Sequence, residues 1–424
     1  MAIALVIGNM IGSGIFFLPS SLGAYGGISI FGWLFTSTGA LILALIFSRL
    51  SRLLPNISGG PFVYSQEGFG DFPGFLVAWG YILSIWASNA AITVAFVSYL
   101  SVFLPVLATN NILAAATGLM AIWFLTWLNS QTIRTAGSLQ LVTTILKLVP
   151  LILISVVGVF YLNPEHFSPM NISTSSNFQA ISATAAMTLF AFLGFESATV
   201  PAEDVENPEK TIPTATVWGT LITIVVYILG TIAVMGLISP ANLQSSNAPF
   251  AEAAQVIWGN AGRYLVAGGV VISTFGALNG WTILQGQVPM APARQHLFPK
   301  IFARKNKNGS PSVSLVIGSI IVSTLMLMNF SKGMVKAFEF LILVTTTTVL
   351  IPYIFAAAAY GVFVLQRRFG NEGNVRMQLI LPMLGFAYSV WMVSGSGYEP
   401  VYWGFIMLLL GIPIYVYMKR ENKS

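Results

Sequence analysis

The chain contains no cysteine. Structural disulfides, thiolate metal sites and a cysteine nucleophile are therefore excluded together. Histidine is nearly as scarce, and His166 and His296 lie in polar stretches far outside any H-E-x-x-H spacing, so no metal site is expected. Charge is also short, at 8% of residues against roughly 25% in soluble domains, which excludes an ordinary water-soluble enzyme. No Gly-x-x-x-x-Gly-Lys-Ser/Thr loop occurs, so the chain is not expected to drive transport with ATP bound to itself. With no metal, nucleophile or cofactor signature, a membrane-embedded enzyme is not expected.

What the chain has is apolar surface. Of its 424 residues 56% are hydrophobic and 13% aromatic, too much to stay unfolded in water. The apolar runs are long and punctuated by Gly and Pro, which indicates helices rather than barrel strands. Each span needs about 20 apolar residues. Twelve such segments are predicted, near 1–22, 28–48, 73–103, 111–129, 137–161, 179–201, 212–238, 255–287, 312–330, 335–365, 377–396 and 400–418. The first has no basic leader, so it is not expected to be a cleaved signal peptide. The longest polar connections, about 49–72, 162–178, 239–254 and 288–311, are too short for a soluble module.

Twelve spans put both termini on one side. Arg263, Lys332 and Lys336 then fall on the opposite side and Lys147 within a span, while the other fifteen of the 19 Lys and Arg share the side of the termini. The positive-inside rule makes that side the cytoplasm. The net charge of +6 is thus a topology signal. It is scattered over loops, unlike the gathered basic surface of a nucleic-acid binder. The basic loop 294–307 is expected to set topology and to attract anionic lipid weakly.

Two segments carry interruptions. In the first, Gly8-Asn9-Met10-Ile11-Gly12-Ser13-Gly14-Ile15-Phe16 places three glycines and a serine mid-span. Either Gly8-x-x-x-Gly12 is a close-packing face, or the helix breaks and frees N–H groups of Gly12, Ser13 and Gly14 as an anion site at a half-helix N-terminus. The sixth reads Leu189-Phe190-Ala191-Phe192-Leu193-Gly194-Phe195-Glu196-Ser197, with glycine beside a carboxylate. Two interrupted helices about five spans apart point to an inverted-repeat transporter.

The stretches GNMIGSGIFFLPSSLGAYGG (8–27) and GFESATVPAEDVENPEKTIPTAT (194–216) resemble the amino acid–polyamine–organocation superfamily. Within it, the chain is similar along its whole length to the basic amino acid and polyamine antiporter branch, which includes arginine/agmatine exchangers. The resemblance implies an all-α integral membrane fold of twelve transmembrane helices. Ten of them form a 5+5 inverted repeat with broken helices 1 and 6: a core at 1–365, with repeats at about 1–161 and 179–365. Two extra helices at 366–424 serve dimer contacts. It implies that Ser13 and the amides around Gly12 and Gly14 hold a substrate carboxylate, and that carbonyls near Met10, Phe190 and Leu193 take its ammonium group. Tyr81 and Asn89 match third-helix site positions; eight residues apart, they stand about 80° round a helix, so both can border one cavity. Trp281, in NGWTILQGQ (279–287), matches a tryptophan that stacks on the substrate side chain. The branch's sixth-helix tryptophan is Phe190 here, a weaker partner for a cation than indole.

Two charges remain at mid-membrane depth, Glu196 and Lys147. A central charge costs roughly 2.5–3.5 kcal/mol on insertion scales. Glu196 is expected to be either a proton-linked gate, supported by the resemblance, or a hydrogen-bonded carboxyl that stabilises the break. Lys147 matches the lysine that in some relatives replaces a coupling sodium ion; otherwise it pairs with carbonyls or with Glu196. The acidic run Glu203-Asp204-Val205-Glu206 is expected to be a solvated loop. The function expected is secondary transport of an amino acid or amine across the cytoplasmic membrane by alternating access, as an exchanger or as a proton-coupled, sodium-independent carrier. The alternative is a transporter-like sensor or accessory subunit that binds without translocating.

Overall fold

A computed structural model describes residues 2–54, 60–131, 148–196, 205, 207–369 and 374–421. Lys147 and the acidic residues Glu203, Asp204 and Glu206 lie outside the described residues. The described chain is helical, without strands. The first predicted span is two helices, α1 (Ala2–Met10) and α2 (Ser13–Leu22). They are followed by α3 (Ser29–Leu53), α4 (Pro61–Phe69), α5 (Asp71–Leu100), the short α6 (Val106–Thr109), α7 (Asn111–Gln131) and α8 (Leu148–Tyr161).

The second half of the chain contains α9 (Asn177–Phe192), α10 (Pro208–Leu237), α11 (Pro240–Ser245) and α12 (Pro249–Gln287). It continues with α13 (Met290–Arg294), α14 (Ser312–Phe330), α15 (Met334–Leu365), α16 (Val375–Gly395), α17 (Tyr398–Leu409) and α18 (Gly411–Glu421). Nine helical stretches among the described residues are long and apolar enough to cross a membrane. The broken α1–α2, the shorter α8 and α9 fill the places of the other three predicted segments.

Several boundaries depart from the sequence reading for local reasons. The polar connection 49–72 contains α4, which Pro61 opens at a position where a missing N–H costs nothing. The segment expected at 255–287 begins at Pro249 and bends at Gly259, whose φ of 66° no β-carbon-bearing residue adopts readily. Ser176 starts α9 two residues early through a capping box with Gln179.

Burial sorts the helices. α5 is buried along almost its whole length, and α15 packs beside it, whereas α7, α16 and the α17–α18 pair keep most of their apolar surface outward. Outward apolar surface is what lipid-facing helices present. Inside, polar side chains are paired locally: the hydroxyls of Thr345, Thr347 and Thr348 return to carbonyls four residues back at 2.9 Å, and Thr346 reaches the Ala186 carbonyl at 3.1 Å. The ion pairs Lys419–Asp71 (2.8 Å) and Arg368–Glu67 (3.5 Å) tie the start of α5 and the end of α4 to the later helices, and Lys332–Glu399 (3.2 Å) joins α17 to the turn before α15.

Candidate functional site

The two interruptions meet. Helix α1 ends at Met10, and Gly12 adopts φ −130° and ψ −134°, which no helix permits. The close-packing reading of Gly8-x-x-x-Gly12 thus gives way to a true break. Helix α9 ends at Phe192, and Gly194 takes φ +108°. A β-carbon on Gly194 would lie 3.1 Å from the Asn9 backbone, and one on Gly14 would lie 3.0 Å from the Ala191 Cα. Glycine is needed here twice over, for the left-handed turn and for backbone-to-backbone contact.

A cleft between the breaks is lined by Asn9, Met10, Gly12, Ser13, Gly14, Ile92, Phe190, Leu193 and Trp281. Seven sequence-predicted residues are therefore brought together. The cleft is tight, with about 10 Å³, room for roughly one water. Ser13 is 1% exposed and its hydroxyl has no hydrogen-bond partner among the described residues. A buried hydroxyl left unsatisfied costs about 1–3 kcal/mol, which makes it the cleft's open valence.

Two predicted residues are not among the lining side chains. Tyr81 donates its hydroxyl to Glu196 Oε1 at 3.1 Å. Asn89 donates to Gln285 Oε1 at 2.8 Å and weakly to the Trp281 carbonyl at 3.4 Å. The Gln285 amide is oriented by the carbonyl of Leu315, to which its Nε2 donates at 3.0 Å. Its oxygen must then face Asn89, which leaves Asn89 Oδ1 buried and unpartnered. Trp281 spends its indole N–H on the Asn9 carbonyl at 3.3 Å, a group freed by the end of α1.

Glu196 is fully buried in the turn after α9. Its Oε2 accepts from the Gly194 N–H at 3.2 Å and from the Tyr353 hydroxyl at 3.1 Å. Sequence reasoning missed Tyr353 and also Tyr227, whose hydroxyl faces the Met10 carbonyl at 2.6 Å and the Ala191 carbonyl at 3.0 Å. Each lies mid-span among aliphatic residues, VLIPYIF and IVVYILG. A phenol at that depth needs a partner, and that was the available signal.

Aromatic rings close the cleft on one side. Phe190 meets Phe338 edge-on at 5.8 Å, and Phe338 meets Phe17 at 4.8 Å. Beyond them, past the C-terminal end of α2, a cavity of about 420 Å³ is lined by Ser20, Ser21, Lys332, Lys336 and Glu339 among others. Among the described residues no cluster of His, Asp or Glu could hold a metal ion.

Comparison with known proteins agrees with this architecture. Residues 1–417 match the amino acid permease family. The chain is 29% identical to an arginine/agmatine antiporter of Chlamydia pneumoniae, over 99% of this chain and 89% of that protein. It is 32% identical to the putrescine transporter PotE of Escherichia coli K12, over 96% and 92%. An arginine/ornithine antiporter of Pseudomonas aeruginosa is 29% identical over 99% and 90%. This multi-pass membrane protein is a transporter rather than an enzyme, and it belongs to the amino acid permease family.

Proposed function

We propose that the chain carries an amino acid or a related amine across the cytoplasmic membrane by alternating access, as an exchanger or a proton-coupled, sodium-independent carrier. The observation that carries this reading is the cleft between two broken helices, with the unpartnered Ser13 hydroxyl buried in it. A carboxylate suits the start of α2, where the hydroxyl and the amides of Gly12–Gly14 supply donors and the helix dipole favours negative charge. An ammonium group suits the open ends of α1 and α9. There the Phe190 carbonyl, which accepts from the Leu193 N–H at 3.2 Å, and the Met10 carbonyl, which accepts from Tyr227, each keep a second lone pair, and Leu193 supplies a further carbonyl at the break. Phe190 and Trp281 form the walls for the rest of the substrate. The names of the relatives favour arginine, ornithine, agmatine and putrescine as first candidates.

The same reading assigns twelve spans: nine continuous ones together with α1–α2, α8 and α9. It divides them into repeats at about 1–161 and 179–365, with 366–424 available for dimer contacts. Both termini are placed in the cytoplasm. Glu196 serves coupling, and Lys147 takes the place of a coupling cation. The cleft holds about one water, so loading requires it to widen and the Phe190–Phe338–Phe17 rings to part. No feature of the site favours the sensor alternative.

Counterflow of labelled substrate in proteoliposomes tests this. Labelled arginine or putrescine should accumulate against unlabelled internal substrate, with no sodium present. Ser13→Trp, which fills the cleft, should abolish that accumulation while leaving membrane insertion intact. Normal counterflow by Ser13→Trp refutes the placement of the site, and a strict sodium requirement refutes the role of Lys147.

A further inference from the structure

The last turns of α3 and the first turns of α10 enclose a second, lateral pocket of about 350 Å³, lined by Leu45, Ser48, Arg49, Arg52, Thr214 and Trp218 among others. Arg49 and Arg52 are one helical turn apart and both exposed. Arg49 donates to the Tyr360 hydroxyl at 2.5 Å, a neutral partner that leaves its charge uncompensated. Among the described residues no ion pair reaches either arginine. No carboxylate among the described residues lines the pocket.

Beyond Ser48 and Thr214 the wall is apolar and leads away from the arginines in one direction. Trp218 is 57% exposed, and it begins a row of exposed side chains on α10 comprising Ile222, Val225 and Leu229. Steps of four, three and four keep the row on one helix face. Eleven residues of helix rise about 16 Å, close to half of the roughly 30 Å hydrocarbon core. Two guanidinium groups with no ion pair among the described residues thus stand at the head of an apolar track about one leaflet deep.

We propose that this groove binds a glycerophospholipid with a net anionic headgroup, its phosphate between Arg49 and Arg52 and an acyl chain along Trp218–Leu229. The forked guanidinium suits a phosphate. A zwitterionic headgroup would bring an ammonium group that finds no anion in the lining. A soluble phosphate would use the arginines and leave the apolar track unused.

The test is thermal melting of the purified full-length chain in detergent, titrated with phosphatidylglycerol, phosphatidylcholine or glycerol 3-phosphate. Phosphatidylglycerol should raise the melting temperature saturably, while the other two should not at matched concentration. Arg52→Gln should weaken the apparent affinity for phosphatidylglycerol by about tenfold or more, and Arg52→Lys by less. The melting temperature of Arg52→Gln without lipid should match that of the parent, which separates lost binding from lost folding. Equal responses to the two lipids overturn the proposal, as does an unchanged affinity in Arg52→Gln. A response to glycerol 3-phosphate equal to that of the lipid overturns it in favour of a plain anion site.

Discussion

At the scale of single residues, Glu196 shows what a carboxyl buried in the turn after a broken helix requires. Its oxygens face the hydroxyls of Tyr81 and Tyr353 and the N–H of Gly194. Removing one donor leaves an oxygen short in a medium with no water to replace it. Tyr353→Phe is therefore expected to cost about 1–3 kcal/mol, read as a lower melting temperature of the purified protein. Tyr81→Phe should do the same, and the double variant should depart from additivity because both serve one carboxyl. A melting temperature unchanged in both single variants would sever these tyrosines from Glu196. The depth of Glu196 was legible in the sequence; its donors were not, since Tyr81 and Tyr353 come from positions 115 and 157 residues away. Trp281 was legible as a large ring near the site. That its N–H satisfies the Asn9 carbonyl depends on where α1 stops, which only the folded chain shows.

At the scale of elements, the breaks in α1–α2 and after α9 were readable only as a pair: the first span's glycines suited a packing face equally well, and the glycine beside a carboxylate in the sixth tipped the reading towards interrupted helices. What the sequence did not reveal is that the two breaks touch. Gly194 needs its left-handed φ and a backbone neighbour 3.1 Å from where a β-carbon would sit. Gly194→Ala is expected to cost at least about 1–2 kcal/mol from the backbone conformation alone and to slow counterflow, because the two broken helices then no longer move as one closely packed pair. Melting and counterflow measured on the same preparation check this, and a variant with parental values in both would show that the contact is not tight. Helix α4 escaped prediction for a different reason. Its nine residues, PFVYSQEGF, are too short and too mixed for periodicity to register. The bend at Gly259 was invisible likewise, because one glycine in a helical pattern is usually tolerated.

At the scale of the whole molecule, composition alone separated lipid-facing chain from soluble chain, and the loop arginines and lysines sorted the two sides. The ion pairs respect that sorting: Arg368 and Lys419, predicted on one side, hold Glu67 and Asp71, while Lys332, predicted on the other, holds Glu399. The cysteine-free sequence offers a direct check. Asn308 and Ser331, both exposed, lie beyond opposite ends of the 19-residue α14, which is about 28 Å long. In intact cells a membrane-impermeant maleimide should label Ser331→Cys and spare Asn308→Cys until the membrane is permeabilised. The reverse pattern would invert the orientation.

The phenol of Tyr227 adds a mechanical constraint on any such movement. It has one hydrogen to give and two carbonyls to serve, Met10 at 2.6 Å and Ala191 at 3.0 Å, one from each broken helix. If α1 and α9 travel together with α10, no bond is lost. If they pull apart, one carbonyl is stranded out of reach of water. The ring therefore behaves like a shear pin through the seam: it resists splitting while allowing the pair to rock as one body. On the proposed transport reading, the cleft is then reached by tilting the fastened pair against the helices around it, not by splitting the pair.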